Sequence, residues 1–322
     1  MTILDLAPTR SKIWSAQGHT AGSSEAVVAD KHVRIAGFVA LVSVSALLGW
    51  RSITALVQTA WQHEPYTYVL MILPVSLCLL LLERRATMPL RSSRAAGILL
   101  LSVAAPGILG ATYSASLSAS SQLSVVMLAL VTCWMGAFVL CFGAEAFKAL
   151  CFPLLFLFLL VPLPGFVVQG LVYFLQIGST EAAHVLFKLF GIPASQNGFV
   201  LSLPGVDIEI AEECSGIRSS TILMISSLAL SHLCLRSRWN QALVAMAVLP
   251  LAILKNGLRV FTLSTLAIYV DASWFEGRLH RSGGVLFFAL ALAMASTLIA
   301  LLRRLERNTP RSERVRAALP HC

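Results

Sequence analysis

Long apolar runs constrain the fold of this chain more than any other feature. A helix that crosses a bilayer needs about 20 mostly apolar residues. Eight stretches approach or exceed that length, near residues 35–55, 66–82, 95–113, 122–142, 147–163, 217–235, 241–270 and 284–302. Only 12% of the 322 residues are charged, whereas soluble domains carry about 25%. The sequence therefore predicts an all-α polytopic membrane protein with about eight transmembrane helices.

The arginine clusters indicate how these spans are oriented. Cytoplasmic loops of membrane proteins carry an excess of lysine and arginine. The clusters lie between spans two and three, between spans six and seven, and after span eight: Arg84, Arg85, Arg91 and Arg94; Arg236 and Arg238; Arg303, Arg304, Arg307, Arg311, Arg314 and Arg316. Eight spans put all three clusters on one side. We therefore expect cytoplasmic tails at 1–32 and 303–322, which flank a transmembrane domain at 33–302.

The net charge of +9 has two possible explanations. Nucleic-acid binding needs basic residues clustered on a water-exposed face, whereas here they lie at the ends of apolar runs and in the tails. That pattern is typical of topology signals that also contact anionic lipid headgroups. We therefore expect contact with membrane lipids and no nucleic-acid partner. The first apolar run begins only after Arg34, so no cleavable signal peptide is predicted.

The long connection before span six falls on the opposite, non-cytoplasmic side. Residues 165–190 are apolar but punctuated by polar side chains, which predicts one or two helices in the membrane interface. Two short runs, 199–203 and 206–210, flank Pro204-Gly205 and predict a β-hairpin. An exposed strand edge there would be able to pair with an extended peptide. The alternative is a hairpin that only covers the ends of the helices.

The seven cysteines are odd in number and scattered, so they predict no disulfide framework. Five lie in or beside apolar runs, where cysteine behaves as a small hydrophobic residue: Cys78, Cys133, Cys141, Cys151 and Cys234. Cys214 differs because it lies in the polar segment 212–220, at the start of span six. A helix N-terminus favours the thiolate form of cysteine. The alternative is a capped helix start with a passive cysteine.

The neighbours of Cys214 are candidate supporting residues. Arg218 is expected to lie one turn further along the same helix face. Gly216, preceded by Ser215, has no side chain and would let a substrate backbone approach closely. Glu212 and Glu213 oppose a thiolate, so the segment needs a cation in addition to Arg218.

Two further polar clusters are candidates for chemistry. Asn256 and Arg259 are three residues apart in span seven and share a helix face; a fixed guanidinium there can stabilise a thiolate or an oxyanion. The alternative is an arginine that snorkels to the interface. His280 precedes span eight, where it serves either as an acid and base or as an ordinary surface histidine. The topology places Cys214, Arg259 and His280 on one side at similar depth, which predicts a cysteine nucleophile site.

Other classes of function make different demands on the sequence. The histidines stand apart in sequence and no phosphate-binding glycine loop is present, so neither a metal nor a cofactor is expected. A transporter should carry polar residues near the midplane of several spans, but spans two, four and five are almost purely apolar. A non-catalytic transporter and a membrane acyltransferase are kept as alternatives.

The three clusters together resemble the exosortases, which are relatives of archaeosortases and functional analogues of sortases. The run Cys-Ser-Gly-Ile-Arg-Ser at 214–219 is similar to the cysteine motif of that family, and Asn256-x-x-Arg259 to its arginine motif. His280-x-x-x-Gly284-x-x-x-Phe288 is similar to its histidine motif. The resemblance covers most of residues 50–300.

The resemblance implies a cysteine protease or transpeptidase in a bacterial inner membrane, with its active site facing the periplasm. The expected substrates are membrane-anchored secreted proteins whose C-terminal sorting signal, as in PEP-CTERM proteins, combines a short motif, an apolar helix and a basic cluster. Cys214 would form a thioester, Arg259 would hold the thiolate or oxyanion, and His280 would transfer protons. Arg218, Asn256, Ser215 and Gly216 are expected to support them.

Overall fold

The computed structural model describes residues 32–83, 94–113, 118–270 and 278–308, which are mainly helical. The helices are α1 (His32–Leu48), α2 (Trp50–Gln62), α3 (Val69–Glu83), α4 (Arg94–Tyr113), α5 (Ala119–Phe142), α6 (Ala144–Ala149), α7 (Cys151–Phe156), α8 (Gly165–Leu189), α9 (Ile217–Cys234), α10 (Arg238–Tyr269) and α11 (Arg278–Asn308). Short 3₁₀ helices occupy Glu64–Tyr66, Leu157–Leu160 and Glu212–Ser215. The all-α class expected from the apolar runs is confirmed.

Within these described ranges, five helices are long and apolar enough to cross a membrane: Glu64–Glu83, Ala119–Phe142, Ile217–Cys234, Arg238–Tyr269 and Gly284–Asn308. Two bent pairs, His32–Leu48 with Trp50–Gln62 and Cys151–Leu160 with Gly165–Leu189, raise the number to seven if each pair is one span. The expected count of eight is not confirmed. The third predicted span, 95–113, corresponds to α4, in which the apolar helix Ala95–Ile108 is shorter than the other candidates.

The chain divides into two compact units, one of Met1–Ala55 with Leu80–Val161 and one of Leu56–Leu79 with Pro162–Cys322. The predicted cytoplasmic tails lie outside the described residues except for His32 and residues 303–308, which belong to α1 and α11. Residues 84–93, with three arginines of the first predicted loop cluster, also lie outside them.

The first unit is held together by close packing of α1, α4 and α5. A Cβ on Gly97 of α4 would lie 2.7 Å from Leu140 Cα of α5, so the two backbones approach as small residues allow in membrane helices. On the other side of α5, Trp134 Nε1 donates to Ser45 Oγ of α1 at 3.0 Å. Arg34 donates to the Cys141 carbonyl at 3.1 Å.

In the second unit, α8, α9 and α11 pack against α10. Leu223 of α9, Val248 of α10 and Ala291 of α11 are buried in one cluster. A Cβ on Gly257 of α10 would lie 2.5 Å from the Ala182 Cβ of α8, so this glycine allows close contact between the two helices. Glu306 of α11 accepts hydrogen bonds from three groups at the start of α10, the Arg236 N, Ser237 N and Asn240 Nδ2 atoms. One of them, the N–H of the N-cap residue Ser237, is a backbone donor that a helix start otherwise leaves open.

A small antiparallel sheet lies between α8 and α9 in the chain. Its strands are β1 (Ser195–Asn197), β2 (Val200–Leu203) and β3 (Val206–Glu209), in that spatial order. The predicted hairpin is confirmed: Leu203 pairs with Val206, and Gly205 takes φ +84° as the second central residue of a Pro-Gly turn requires. Its buried residues, with Ile210, pack against Phe187 of α8 and Phe261 of α10.

Candidate active site

The segment that carries Cys214 is held from both ends. Ile210, directly after β3, donates its N–H to the Phe199 carbonyl at 3.0 Å, and its own carbonyl accepts a hydrogen bond from Gln176 Nε2 of α8. The 3₁₀ helix Glu212–Ser215 follows, and Gly216 then begins α9 with a left-handed conformation, φ +74°. The chain therefore reaches Cys214 from a fixed point on the sheet.

The structure changes one expectation about this segment. Cys214 lies in the 3₁₀ helix, two residues before the Gly216 cap, rather than in the first turn of α9. Because Gly216 interrupts the helical backbone, Cys214 and Arg218 do not share one helix face as expected. The backbone of Cys214 is described, whereas the side chains of Glu213 and Cys214 lie outside the described part.

Gly216 brings the cysteine motif and the arginine motif into direct contact. A Cβ at this position would lie 2.8 Å from Asn256 Oδ1 and 3.3 Å from Lys255 Nζ, both on α10. Asn256 is itself buried, and its Nδ2 donates to Ser179 Oγ of α8 at 3.0 Å. Ser215 is fully buried, and its Oγ has no hydrogen-bond partner among the described residues. The lack of a side chain at Gly216 thus lets the start of α9 pack closely on α10, in addition to the substrate access that was expected.

Replacing Gly216 by alanine is expected to lower the free energy of unfolding by about 2–4 kcal/mol, from a left-handed backbone and overpacking against α10. Thermal unfolding of the solubilised protein measures this. Gly170→Ala is the matched control, because a Cβ there would meet no atom within 4 Å apart from its own helix backbone and chain neighbours, and its φ is not positive. That control should be neutral or gain about 0.5–1 kcal/mol. Equal melting temperatures for the two variants would contradict the close packing of Gly216.

A cavity of about 460 Å³ adjoins this contact. It is lined by the start of the 3₁₀ helix after α2, the start of α9, one residue of α10 and the second and third turns of α11: Glu64, Gly216, Ile217, Arg218, Ser219, Ile222, Arg259, Gly284, Val285 and Phe288. Tyr66 holds the turn that carries Glu64, because its hydroxyl donates to the Leu163 carbonyl at 3.2 Å. Arg218 forms an ion pair with Glu64, 3.6 Å from NH1 to Oε1, and both side chains are more than half exposed.

The predicted site residues fall into three groups. Arg259, Arg218 and Gly216 line the cavity. Asn256 and Ser215 are buried behind it. Cys214 lies two residues before Gly216, and His280 lies in the first turn of α11, four residues before Gly284 and on the same helix face. The side chain of His280 lies outside the described part.

Sequence reasoning did not select four residues that contribute to this region. Glu64 pairs with Arg218, Gln176 holds Ile210, Ser179 holds Asn256, and Lys255 donates to Ser219 Oγ. Three of them, Gln176, Ser179 and Lys255, are polar side chains inside apolar helices, which was the available signal because such residues are costly in a membrane protein. Glu64 lies at the start of a 3₁₀ helix and gave no such signal. Among the described residues, no group of three or more His, Cys, Asp or Glu side chains is placed to hold a metal ion.

Comparison with known proteins adds one finding. A family model described as transmembrane exosortase matches residues 60–297, a range that includes every residue lining the cavity. Searches of curated proteins and of solved structures found no match.

Proposed function

We propose that this chain, which belongs to the transmembrane exosortase family, is a cysteine peptidase or transpeptidase that processes secreted proteins at the outer face of a bacterial inner membrane. One observation carries the proposal. The cavity is bordered by the segment directly after Cys214, by Arg259, and by the helix turn that follows His280. A thiol, a fixed cation and an imidazole are the groups that nucleophilic acyl transfer uses.

The first half-reaction forms a thioester. The Cys214 thiolate attacks the carbonyl carbon of the scissile peptide bond, and the oxyanion that results is stabilised by the Arg259 guanidinium. The C–N bond then breaks, and the leaving amine takes a proton from the His280 imidazolium. The products are a thioester of the N-terminal fragment on Cys214 and a free C-terminal fragment with a new amino terminus.

The second half-reaction releases the protein. His280, now neutral, removes a proton from the incoming water or acceptor amine as this group attacks the thioester carbonyl. The C–S bond breaks, which returns the Cys214 thiolate and the imidazolium. Water gives hydrolysis, whereas an amine gives transpeptidation.

The family and the membrane setting support a proposal for the substrate class. We propose substrates that end in a short motif, an apolar helix and a basic cluster, as in PEP-CTERM proteins. The apolar helix anchors such a protein in the same bilayer as the enzyme, which raises its effective concentration at the site. The basic cluster keeps the far end of the substrate helix on the cytoplasmic side.

Trapping the thioester tests this proposal. The full-length protein is incubated with a reporter that carries a sorting signal of this form, quenched in acid and mapped by mass spectrometry. We expect the N-terminal reporter fragment on Cys214, in a bond that hydroxylamine cleaves. The control is the reporter without its apolar helix and basic cluster, which should give no adduct. An adduct on another residue, or a lipid acyl group on Cys214, would contradict the peptidase assignment; the second result would favour the acyltransferase.

A further inference from the structure

Lys255 is a buried cation to which the proposed mechanism gives no role. It lies on α10, one turn before Arg259, and its side chain is only 4% exposed. Burying an ammonium group is costly unless its charge and its hydrogen bonds are compensated. In the described part of the chain its hydrogen-bond partner is Ser219 Oγ, and Arg259 is a second cation rather than a counter-ion. A charge kept in this place requires an explanation.

The contacts of Lys255 place its ammonium group beneath the turn that joins the 3₁₀ helix to α9. Ser219, which anchors it, lines the cavity and donates its own hydroxyl to the Gly216 carbonyl at 3.1 Å. The Lys255 Nζ atom also lies 3.3 Å from the position of a Cβ on Gly216. Two peptide units separate Gly216 from Cys214, so their Cα atoms lie within about 7.6 Å of each other.

The negative charges around this turn disfavour a thiolate at Cys214, and the ammonium group of Lys255 can offset them. Glu212 and Glu213 precede Cys214 and disfavour a second negative charge there. Arg218 is the nearest cation along the chain, but its guanidinium is paired with Glu64 and more than half exposed, where solvent screens it. The proposed mechanism assigns the other cation, Arg259, to the oxyanion. A buried ammonium group acts more strongly on a nearby charge because the local dielectric constant is lower.

We infer that Lys255 is a positioning residue of the site: its ammonium group, anchored on Ser219, supplies positive charge beneath the Cys214–Gly216 turn and stabilises the Cys214 thiolate. The inference rests on the proposed function, in which Cys214 is the nucleophile. Other described charged groups around the turn are Arg259 on α10, Arg218 on α9, Glu64 and Glu212. Glu213 and the first turn of α11, with Arg278, His280 and Arg281, also carry ionisable side chains, which lie outside the described part.

The pH dependence of Cys214 alkylation tests the inference. The full-length protein in detergent is treated with iodoacetamide between pH 5 and 10, and the Cys214 peptide is quantified by mass spectrometry. Lys255→Met keeps the length of the side chain but removes the charge, so the midpoint of the alkylation profile should rise by about one pH unit or more. Lys255→Arg keeps the charge and should stay within a few tenths of a unit of the unchanged protein.

Two further variants make the result decisive. Lys188→Met removes an exposed lysine from the end of α8 and should leave the midpoint unchanged. Ser219→Ala keeps Lys255 but removes its hydrogen-bond partner, so a smaller rise of the alkylation midpoint is expected. If Lys255→Met does not fold, Ser219→Ala takes its place in the test. An unchanged midpoint in a folded Lys255→Met or Ser219→Ala protein would overturn the inference. Substrate cleavage by Cys214→Ala would instead overturn the proposed function, so the two failures are distinguishable.

Discussion

Cys214→Ala is expected to abolish processing of a reporter protein that carries a sorting signal. Without the sulfur no thioester forms, and loss of a catalytic nucleophile lowers the rate by about 10⁴-fold or more. The measurement is a time course in cells that express the full-length protein, followed by immunoblotting of precursor and product. The substitution removes one sulfur atom and should leave the melting temperature of the solubilised protein nearly unchanged.

The matched control for this experiment is Cys78→Ala. Cys78 lies on α3, where its side chain is exposed and free, and the cavity does not include it. This variant should process the reporter at the rate of the unchanged protein. Processing that persists in Cys214→Ala, or that is lost equally in both variants, would reject Cys214 as the nucleophile.

Arg259→Ala is expected to have the second-largest effect, a loss of about 10²–10³-fold in kcat/KM, as for removal of an oxyanion-stabilising donor. Its side chain is the contribution of α10 to the cavity wall. Arg259→Lys should recover only part of the rate, because a single ammonium group does not reproduce the planar fork of the guanidinium. The purified protein in lipid vesicles, with a peptide that carries the motif and the apolar helix, provides the measurement.

Arg238→Ala is the control for the arginine experiment. Arg238 begins the same helix, is exposed, and lies 21 residues before Arg259, which is about 31 Å along an α-helix. Its loss should not change kcat/KM. If Arg259→Ala had the rate of the Arg238→Ala variant, or bound the substrate more weakly with an unchanged kcat, Arg259 would not stabilise the transition state.

Several elements of the fold were predictable from local sequence. Length and apolar content identify α3, α5, α9, α10 and α11, because a lipid environment requires each backbone to satisfy its own hydrogen bonds. The alternation in 206–210 and the Pro204-Gly205 pair specify the hairpin within a few residues. Strand β1 was not predictable in this way, since Ser195–Asn197 is short and polar and becomes a strand only by pairing with β2.

The left-handed backbone at Gly216 separates Cys214 from Arg218, so helical periodicity wrongly predicted that the two residues share a helix face. A continuous helix through 212–220 fits the residue types equally well, but Gly216 adopts a left-handed conformation. It packs so closely on the Asn256 side chain that a Cβ would lie 2.8 Å from Oδ1, so Asn256 would have to shift. The conformation is thus set by a helix 40 residues further along the chain.

The sequence by itself determined the helical membrane class, the hairpin and the family, which the family model matches over residues 60–297, because each depends on hydrophobicity, spacing or residue type along the chain. Only the tertiary structure decided which side chains meet: Glu64 with Arg218, Gln176 with Ile210, and Lys255 with Ser219. These contacts join residues 34 to 154 positions apart. They depend on how the helices pack, which no local pattern specifies.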